Sequence, residues 1–445
     1  MKNNEYSLSL LCDFYELTMG RGYFETEMRN KTAYFDVFFR RVPDGGGYAI
    51  AAGLEQIIHY IESLRFSYDD IEFLRGKKIF SEEFLDYLAD FSFSGDIWGV
   101  PEGTVIFPGE PILTVRAPVI EAQLIETYVL LALNHQSLIA TKASRMVRAA
   151  KGRPISEFGS RRAHGEDAAV YGARAAYIGG CSGTACTLSD KLYGGPAGGT
   201  MAHSWVQMFD NEYDAFSTYC RLYPNNPTLL VDTYSVFGSG LPNAVRAIKD
   251  VLWPMGLKKC AIRIDSGDIA YLTKKARAYL DSEGLTDCKI IVSNALDEYL
   301  ITELLSQEAC IDGFGIGERL ITAKSDAVFG TTGKAEADLI TLHEEEIDQS
   351  EPLEIFDPEF TWKRRILTDY TARELLVPIF RSGELVYNMP PLEEIRDHCA
   401  RELATMWKEV LRFENPHEYY VDLSQKLWDL KYSMISKYIK GNRDE

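Results

Sequence analysis

The chain lacks the features that mark a disulfide-stapled, zinc-binding or membrane-spanning protein. Its 445 residues include eight cysteines, none of them in a Cys-x-x-Cys pair, so neither a disulfide framework nor a zinc site is indicated. No apolar run approaches the ~18 residues of a membrane span, and residues 1–6 lack the apolar core of a secretory signal. We therefore expect a protein of the reducing cytoplasm that has no membrane contact.

Positive charge is also scarce, since the formal net charge is −19. A phosphate backbone requires a basic surface, so this balance excludes a general nucleic-acid binder. One stretch differs, because between residues 141 and 174 eight basic residues stand against three acidic ones. This local excess favours an anionic small molecule as ligand, although residues 142–151 also suit a solvated helix face.

Three common motifs of nucleotide and acyl chemistry are absent. The chain has no Walker loop, no Gly-x-Gly-x-x-Gly after a first strand and no Gly-x-Ser-x-Gly elbow. These absences argue against P-loop hydrolysis, dinucleotide redox chemistry and serine-dependent acyl transfer.

The pattern of predicted secondary structure changes twice along the sequence. The length allows two or three domains. Residues 1–118 predict an α+β domain, and residues 331–445 predict a smaller, mixed and helical region. The elements expected there are helices at 13–23, 54–64, 392–411 and 420–438, a strand at 31–40 and a small β structure at 98–115. The segment 336–359 holds ten acidic residues and no lysine or arginine, which suggests an exposed loop or linker.

Residues 119–330 begin with one or two helices at 121–149 and continue as a series of short apolar runs separated by helical stretches. The runs lie at 154–158, 178–181, 200–203, 228–232, 261–265, 289–294 and 311–317. A strand, a helix and two loops fill such a repeat, so the series predicts an α/β fold. We favour an irregular β/α barrel over an open doubly wound sheet because the dinucleotide fingerprint is missing.

Chemistry in a parallel α/β fold collects where the strands end, and the end residues here are polar and functional in type. His203 follows the small residues Gly198, Gly199 and Thr200, where backbone can approach a ligand and a neutral imidazole can act as nucleophile. A buried core histidine is the alternative. Arg263 alternates with two isoleucines, so its side chain should point into the barrel mouth and require an anionic partner.

The other strand ends add carboxylates and glycines. Asp265 opens an Asp-Ser-Gly-Asp segment, which either contributes chemistry or merely forms a turn and helix cap. Gly315 and Gly317 either form a tight turn or present backbone N–H groups to a phosphate. Together the strand ends predict a site that handles phosphate esters.

At this point the chain closely resembles a known family, the nicotinate phosphoribosyltransferases. The matching segments are 13–18, 38–40, 157–162, 199–204, 232–234, 262–268 and 315–317. The resemblance implies a type II phosphoribosyltransferase-like barrel, whose N-terminal domain wraps a partner subunit in a homodimer with shared active sites. It implies the formation of nicotinate mononucleotide and diphosphate from nicotinate and 5-phosphoribosyl 1-diphosphate in NAD biosynthesis, with ATP as co-substrate and Mg²⁺.

The resemblance also implies roles for particular residues. His203 would be the phosphorylated histidine, oriented by Asp232, and Asp265 would lie near the ribose and the metal, for which no ligand set is assigned. Phe158 and Tyr15, the latter from the neighbouring subunit, would sandwich the pyridine ring. The remaining binding residues would be Arg161, Thr200 and Arg263 on the substrates and Asn294, Gly315 and Gly317 on the 5-phosphate.

The chain departs from the family pattern at Ser160 and His164, where a hydrophobic residue and a glutamine are usual, and at Glu318, where a small hydroxyl residue is common. Two alternatives remain open. The first is a nicotinamide phosphoribosyltransferase, and the second is a non-catalytic nucleotide-binding homologue. Joint retention of His203, Asp232, Arg263 and Asp265 argues against a pure binder, which needs no activated histidine.

Overall fold

A computed structural model describes residues 8–326, 337–342, 345–357 and 362–441. Packing divides the chain into two compact units. The first comprises Met1–Leu138, Val328–Pro391 and Arg401–Glu445, and the second comprises Ile139–Ala327 and Leu392–Ala400. The three sequence regions with boundaries after residues 118 and 330 stay a prediction, and the second of these boundaries falls outside the described residues.

The N-terminal part of the first unit mixes helices with short strands. Its elements are α1 Phe14–Phe24, β1 Thr32–Val37, β2 Ala49–Ile50, α2 Leu54–Ser63, α3 Tyr68–Gly76, α4 Glu82–Ala89, β3 Asp96–Gly99, β4 Val105–Ile106, β5 Leu113–Pro118, α5 Val119–Leu124 and the start of α6 Glu126–Ala149. The part of α6 from Ile139 onward belongs to the second unit. The predicted helix at 121–149 is therefore two helices. In α2, Leu54, Ile57 and Ile61 are buried along one face, as the helical period requires.

The second unit alternates strands and helices. Its elements are β6 Ile155–Glu157, α7 Glu166–Ile178, β7 Gly183–Thr184, α8 Thr187–Tyr193, α9 His203–Gln207, α10 Glu212–Leu222, β8 Thr228–Leu230, α11 Leu241–Ala247, β9 Ala261–Ile264, α12 Ile269–Ser282, β10 Lys289–Asn294, α13 Glu298–Ser306, β11 Gly313–Ile316 and α14 Glu318–Ile321. This order confirms the predicted α/β class.

The C-terminal elements follow. They are β12 Ala337–Ile340, β13 Leu353–Phe356, β14 Arg364–Leu367, β15 Val377–Arg381, β16 Glu384–Leu385, α15 Leu392–Thr405, β17 Tyr420–Leu423 and α16 Gln425–Gly441. In the first unit β1, β5, β3, β15 and β16 form one sheet in that order, β12, β17, β13 and β14 form another, and β2 pairs with β4.

Six parallel strands form the sheet of the second unit, in the order β7-β6-β11-β10-β9-β8. The first strand, β6, pairs with the last, β11. This is the cyclic strand order of a β/α barrel and not that of an open doubly wound sheet. The cycle is interrupted only between β7 and β8, so among the described residues the barrel has six strands.

Two predicted strands are wrong, and both lie beside this interruption. At 178–181, α7 continues through Ile178 and ends in a turn, in which the Cys181 N–H bonds the Ala176 carbonyl and Gly180 has φ +103°. This Schellman-type helix end contains the residues of the predicted strand, so they do not pair with the sheet. At 200–203 the chain forms a loop that leads into α9, whose first residue is His203, because the conformational freedom of Gly198 and Gly199, which precede this run, disfavours a strand.

Two expectations for the C-terminal region also need correction. The acidic segment 336–359, of which 336, 343–344 and 358–359 lie outside the described residues, contains β12 and β13. Strand β13 buries Ile355 and Phe356, and this apolar pair outweighs the surrounding charge. The predicted helix at 420–438 starts late, because its first four residues form β17. No helix within the described ranges is long and apolar enough to cross a bilayer.

Candidate active site

The parallel strands of the second unit all end at the same edge of the sheet, and the predicted site residues other than Tyr15 lie there. Phe158 follows β6, Asp232 follows β8 and Asp265 follows β9. Asn294 ends β10, and Gly315 lies near the end of β11. His203 and Thr200 come from the loop and helix that occupy the interruption between β7 and β8.

Arg263 connects three of these elements, as its inward orientation on β9 predicts. Its Nε donates to Ser293 Oγ at 2.8 Å and its Nη1 donates to Thr200 Oγ1 at 2.9 Å. Its Nη2 lies 3.1 Å from Asp265 Oδ1. A guanidinium with acceptors on three sides has one orientation, so Arg263 presents a fixed positive charge at the strand ends.

Asp265 is held as an acceptor. Because Arg263 can only donate to Ser293, the Ser293 hydroxyl proton points to Asp265, and the two form a short hydrogen bond. Burial alone would raise the pKa of Asp265, but the Ser293 hydrogen bond, the Arg263 charge and nearby His203 outweigh burial and lower this pKa. Asp265 is therefore ionised at neutral pH.

His203 stands between a hydroxyl and a carboxylate. Its Nδ1 lies 3.1 Å from Thr233 Oγ1, and its Nε2 lies 3.6 Å from Asp265 Oδ2. The side chain is 41% exposed, so the buried core histidine that we weighed as an alternative is wrong.

Asp232 does not make the contact expected of it. Its Oδ2 accepts hydrogen bonds from the Asp265 N–H at 2.8 Å and from Ser266 Oγ at 2.7 Å. Its Oδ1 is buried and has no hydrogen-bond partner among the described residues. Since Asp232 and His203 form neither a hydrogen bond nor an ion pair in this part of the chain, Thr233 is the residue that contacts the imidazole from that strand end.

Phe158 packs on a glycine. A Cβ at Gly315 would lie 2.5 Å from the Phe158 ring, and one at Gly317 would lie 3.1 Å from the Phe158 carbonyl oxygen. The Arg263 Cζ lies 5.7 Å from the centroid of the same ring. The glycine pair therefore has a steric reason to exist, since it makes room for the aromatic ring.

Arg161 lies on the short 3-10 turn Ser160–Arg162. Its side chain is exposed and forms no hydrogen bond or ion pair with any described residue, and His164 is likewise exposed. An unpaired guanidinium beside Phe158 in sequence is available to the carboxylate of a ligand.

Asn294 has φ +119°. Residues other than glycine rarely adopt this backbone conformation, and those that do are concentrated at functional sites. Its Oδ1 accepts from the Ala295 N–H at 2.8 Å. The exposed Asn294 backbone thus turns sharply at the end of β10.

Glu318 is neutralised within the chain. Its Oε1 lies 2.7 Å from Lys324 Nζ, and Lys324, with smaller effects of Arg162 and Arg319, lowers the pKa of this carboxyl. The extra carboxylate that departs from the family pattern is therefore paired with a lysine six residues away.

Tyr15 lies in the first unit, on α1. Its hydroxyl donates to Glu126 Oε1 at 3.0 Å, and the residue is 44% exposed. Its assignment to a pyridine site shared between subunits stays a prediction.

Two hydroxyl residues at the site carried no role in the sequence interpretation. Ser293 is 3% exposed and bridges Arg263 to Asp265, and Thr233 contacts His203. Both stand in strand-end segments rich in polar residues, and that was the available signal. Their partners depend on side-chain contacts across strands, which a single chain segment does not reveal.

The site holds no preformed metal cage, since no group of three or more His, Cys, Asp or Glu that could hold a metal ion occurs in the described part of the chain. The unpartnered Asp232 Oδ1 and the Asp265 carboxylate are nevertheless oxygen donors of the kind that Mg²⁺ takes when substrate phosphates complete its shell. The arrangement can thus bind anions, supply a nucleophilic nitrogen and stabilise positive charge beside a carboxylate.

Known proteins resemble this chain over nearly its whole length. Residues 10–134 match the nicotinate phosphoribosyltransferase N-terminal domain and residues 328–431 match the C-terminal domain. The nicotinate phosphoribosyltransferase of Bacillus subtilis is 38% identical over 99% of this chain and 97% of its own length. The nicotinate phosphoribosyltransferase pncB2 of Mycobacterium tuberculosis is 46% identical over 71% of this chain and 67% of its own length.

A solved structure agrees with these relatives. The crystal structure of human nicotinic acid phosphoribosyltransferase is 26% identical, covers 95% of this chain and 99% of its own, and superposes with a TM-score of 0.82. This similarity confirms the irregular β/α barrel with its additional N- and C-terminal regions. The chain belongs to the nicotinate phosphoribosyltransferase family.

Proposed function

We propose that the chain is a nicotinate phosphoribosyltransferase of NAD biosynthesis and salvage, which joins nicotinate to 5-phosphoribosyl 1-diphosphate and releases diphosphate. The observation that carries the proposal is the arrangement of His203, Asp265 and Arg263 at the strand ends, with Phe158 against the Arg263 guanidinium. Its relatives at 38% and 46% identity are named for this activity.

The pyridine substrate binds to the ring of Phe158 and to the guanidinium of Arg161. A flat heteroaromatic acid stacks on the first and pairs its carboxylate with the second. Because Arg161 is exposed and unpaired among the described residues, binding an anion there breaks no existing ion pair. An acid substrate is therefore favoured over its neutral amide.

In the transfer step the pyridine nitrogen attacks the ribose C1 as the bond from C1 to the diphosphate oxygen breaks, and the electron pair of that bond leaves with the diphosphate. Positive charge develops at C1. The ionised Asp265 stabilises that charge, while Arg263 stabilises the departing anion. The fixed donors of Arg263 need no reorganisation as the charge moves.

ATP would react with His203. Its partly exposed imidazole would attack the γ-phosphorus of ATP as the bond to the ADP oxygen breaks, and ADP would leave with that electron pair. The added negative charge next to Asp265 would reorganise the diphosphate site, and later hydrolysis of the phosphohistidine by water would couple ATP hydrolysis to the transfer. Thr233 would hold the ring in place during this step.

Mg²⁺ is the expected metal. Asp232 and Asp265 would hold it together with substrate phosphates, and it would supply charge neutralisation for the diphosphate. Asn294, Gly315 and Gly317 would receive the 5-phosphate at the adjoining strand ends. The proposal includes a homodimer that shares its sites, with Tyr15 reaching the pyridine of the partner, and a cytoplasmic location, with which eight free cysteines agree.

The test is an assay of purified protein with 5-phosphoribosyl 1-diphosphate and Mg²⁺, in which nicotinate, nicotinamide and quinolinate are compared with and without ATP. We expect turnover of nicotinate, stimulation by ATP and little turnover of the other two pyridines. Preference for nicotinamide would establish the alternative substrate. Binding of 5-phosphoribosyl 1-diphosphate without turnover of any pyridine would establish a non-catalytic homologue and overturn the proposal.

A further inference from the structure

The buried carboxylate of Glu157 has no part in the chemistry described above. Glu157 ends β6, directly before Phe158, and is 0% exposed. Among the described residues no ionic partner stabilises Glu157. Burial raises its pKa, and the hydrogen bonds from Thr184 and Gly159 oppose that rise. A carboxylate kept in such a place without a counter-ion needs a reason.

Both oxygens of Glu157 accept a hydrogen bond. Thr184, its register neighbour on β7, donates to Oε2 at 2.6 Å, and the Gly159 N–H donates to Oε1 in a short contact. Thr184 Oγ1 itself accepts from the Cys186 N–H at 2.9 Å, so its single proton is directed to Glu157. The result is a continuous chain of donors that ends on the Glu157 carboxyl group.

Gly159 is the point at which this chain reaches the 158–162 loop. A Cβ at Gly159 would lie 2.6 Å from Ile321 Cβ and 2.7 Å from Glu157 Oε1, so only glycine fits. The Gly159 carbonyl accepts from the Arg162 N–H at 2.7 Å, which closes the turn that carries Arg161. Gly159 therefore connects Glu157 to the loop that carries Phe158 and Arg161.

We infer that Glu157 and Thr184 form a positioning pair, which holds the 158–162 loop so that the Phe158 ring and the Arg161 guanidinium face one pyridine carboxylate substrate together. The inference rests on the proposed function for the identity of that substrate. Neither member of the pair touches substrate. Both act through the Gly159 N–H, so they should affect the affinity for the pyridine and leave the phosphoribosyl side of the site unchanged.

The decisive variant is Thr184→Val, which removes the hydroxyl and keeps the side-chain shape. We expect the KM for nicotinate to rise about ten-fold, the size expected for the loss of one buried hydrogen bond, while kcat and the KM for 5-phosphoribosyl 1-diphosphate stay within about two-fold of wild type. Thr184→Ser, which keeps the donor, should restore the KM for nicotinate. Glu157→Gln, whose amide nitrogen cannot accept a hydrogen bond, should reproduce the effect of Thr184→Val.

Ser182→Ala provides the matched control. Ser182 also makes a hydroxyl hydrogen bond between these strands, to the Ile155 carbonyl at 2.9 Å, but at the end away from the loop. It should leave both KM values unchanged. Equal changes in both KM values, a change confined to kcat, or failure of Thr184→Val and Glu157→Gln to fold would overturn the inference, because each points to a role in the barrel as a whole.

Hydrogen exchange separates this inference from the proposed function. Exchange of the backbone amides of the segment 158–163, followed by mass spectrometry without substrate, should be faster in Thr184→Val than in wild type and unchanged in Ser182→Ala. Unchanged exchange in Thr184→Val would overturn the inference even if nicotinate is turned over. Absence of turnover by the wild-type protein would instead overturn the proposed function and leave the exchange result to stand.

Discussion

His203 and Asp265 face one another across the site, with Nε2 3.6 Å from Oδ2. The separation is longer than a hydrogen bond but close enough for charge to matter, and the presence of His203 contributes to the lowered pKa of Asp265. On its other oxygen, Asp265 interacts with Arg263 and Ser293. One carboxylate thus lies between a nucleophilic nitrogen and a fixed cation, so a change in the charge of His203 is felt where diphosphate would bind.

The first prediction concerns this histidine. His203→Ala should abolish the stimulation of turnover by ATP and leave the thermal unfolding midpoint unchanged, because the side chain is 41% exposed and contributes little to packing. The measurement is the rate with and without ATP, together with a melting curve. His59→Ala, at an exposed histidine of the first unit, is the control. Normal ATP coupling in His203→Ala would rule out the phosphate-acceptor role.

A second prediction concerns the geometry of Arg263. Arg263→Lys should lower kcat/KM for 5-phosphoribosyl 1-diphosphate by roughly 10- to 100-fold, because a single ammonium cannot satisfy Ser293, Thr200 and Asp265 at once and each such hydrogen bond contributes about 1.5–3 kcal/mol. Steady-state kinetics measures it. Arg246→Lys, in an exposed ion pair with Asp250, should behave as wild type. An Arg263→Lys enzyme with full activity would show that charge alone suffices.

A third prediction tests the neutralisation of Glu318. Lys324→Gln should raise the KM for 5-phosphoribosyl 1-diphosphate about three-fold at low salt, the size expected for exposed charges, and the effect should shrink as ionic strength rises. The cause is the unpaired carboxylate beside Gly317. Adding Glu318→Gln to the same chain should restore the KM. If the double variant keeps the raised KM, Lys324 acts by another route.

A fourth prediction concerns stability and pH in the first unit. Asp422 is 2% exposed, its Oδ1 has no partner among the described residues, and burial together with the Asp357 carboxylate raises its pKa from 3.8 to about 6. Between these values the unfolded chain loses the proton and the folded chain keeps it. The free energy of unfolding therefore falls as pH rises from about 4 to 6.

Asp422→Asn should remove this penalty. At pH 7 the variant should be more stable than wild type by about 1–2 kcal/mol, and the difference should vanish below pH 4, where both states of the wild type are protonated. Urea unfolding at pH 4, 6 and 7 measures it. Asp429→Asn, at an exposed aspartate of α16, is the control. A constant difference at all three pH values would contradict the raised pKa.

Much of the barrel was predictable because its strands carry a strong local signal. The run predicted at 289–294 is the strand β10 in full, and the alternation around Arg263 correctly placed that side chain inward. The runs at 178–181 and 200–203 failed for the opposite reason. Their apolar residues look like strand residues locally. However, the first run forms the end of a helix, and the second follows two glycines and forms a loop.

For the site, too, local features were predictable from the sequence, and contacts between distant segments were not. The residue types were readable, because Arg263 and Asp265 stand near the end of a strand in the sequence and His203 follows a glycine-rich segment. The pairing was not, since we expected Asp232 to orient His203 and the imidazole meets Thr233 instead. Adjacent residues on an extended chain point in opposite directions, so whether Asp232 or Thr233 faces the histidine depends on how the chain turns after β8.

Local composition and order thus established the α/β class and the family, because these depend on short segments and on motifs in series. The gap between β7 and β8 that admits Thr200 and His203, the contact of Gly315 with the Phe158 ring and the buried carboxylate of Glu157 under the 158–162 loop were decided by the tertiary structure. Each depends on atoms from strands distant in sequence. The pairing of the parallel strands brings such atoms into contact, and that pairing joins segments that lie far apart in the sequence.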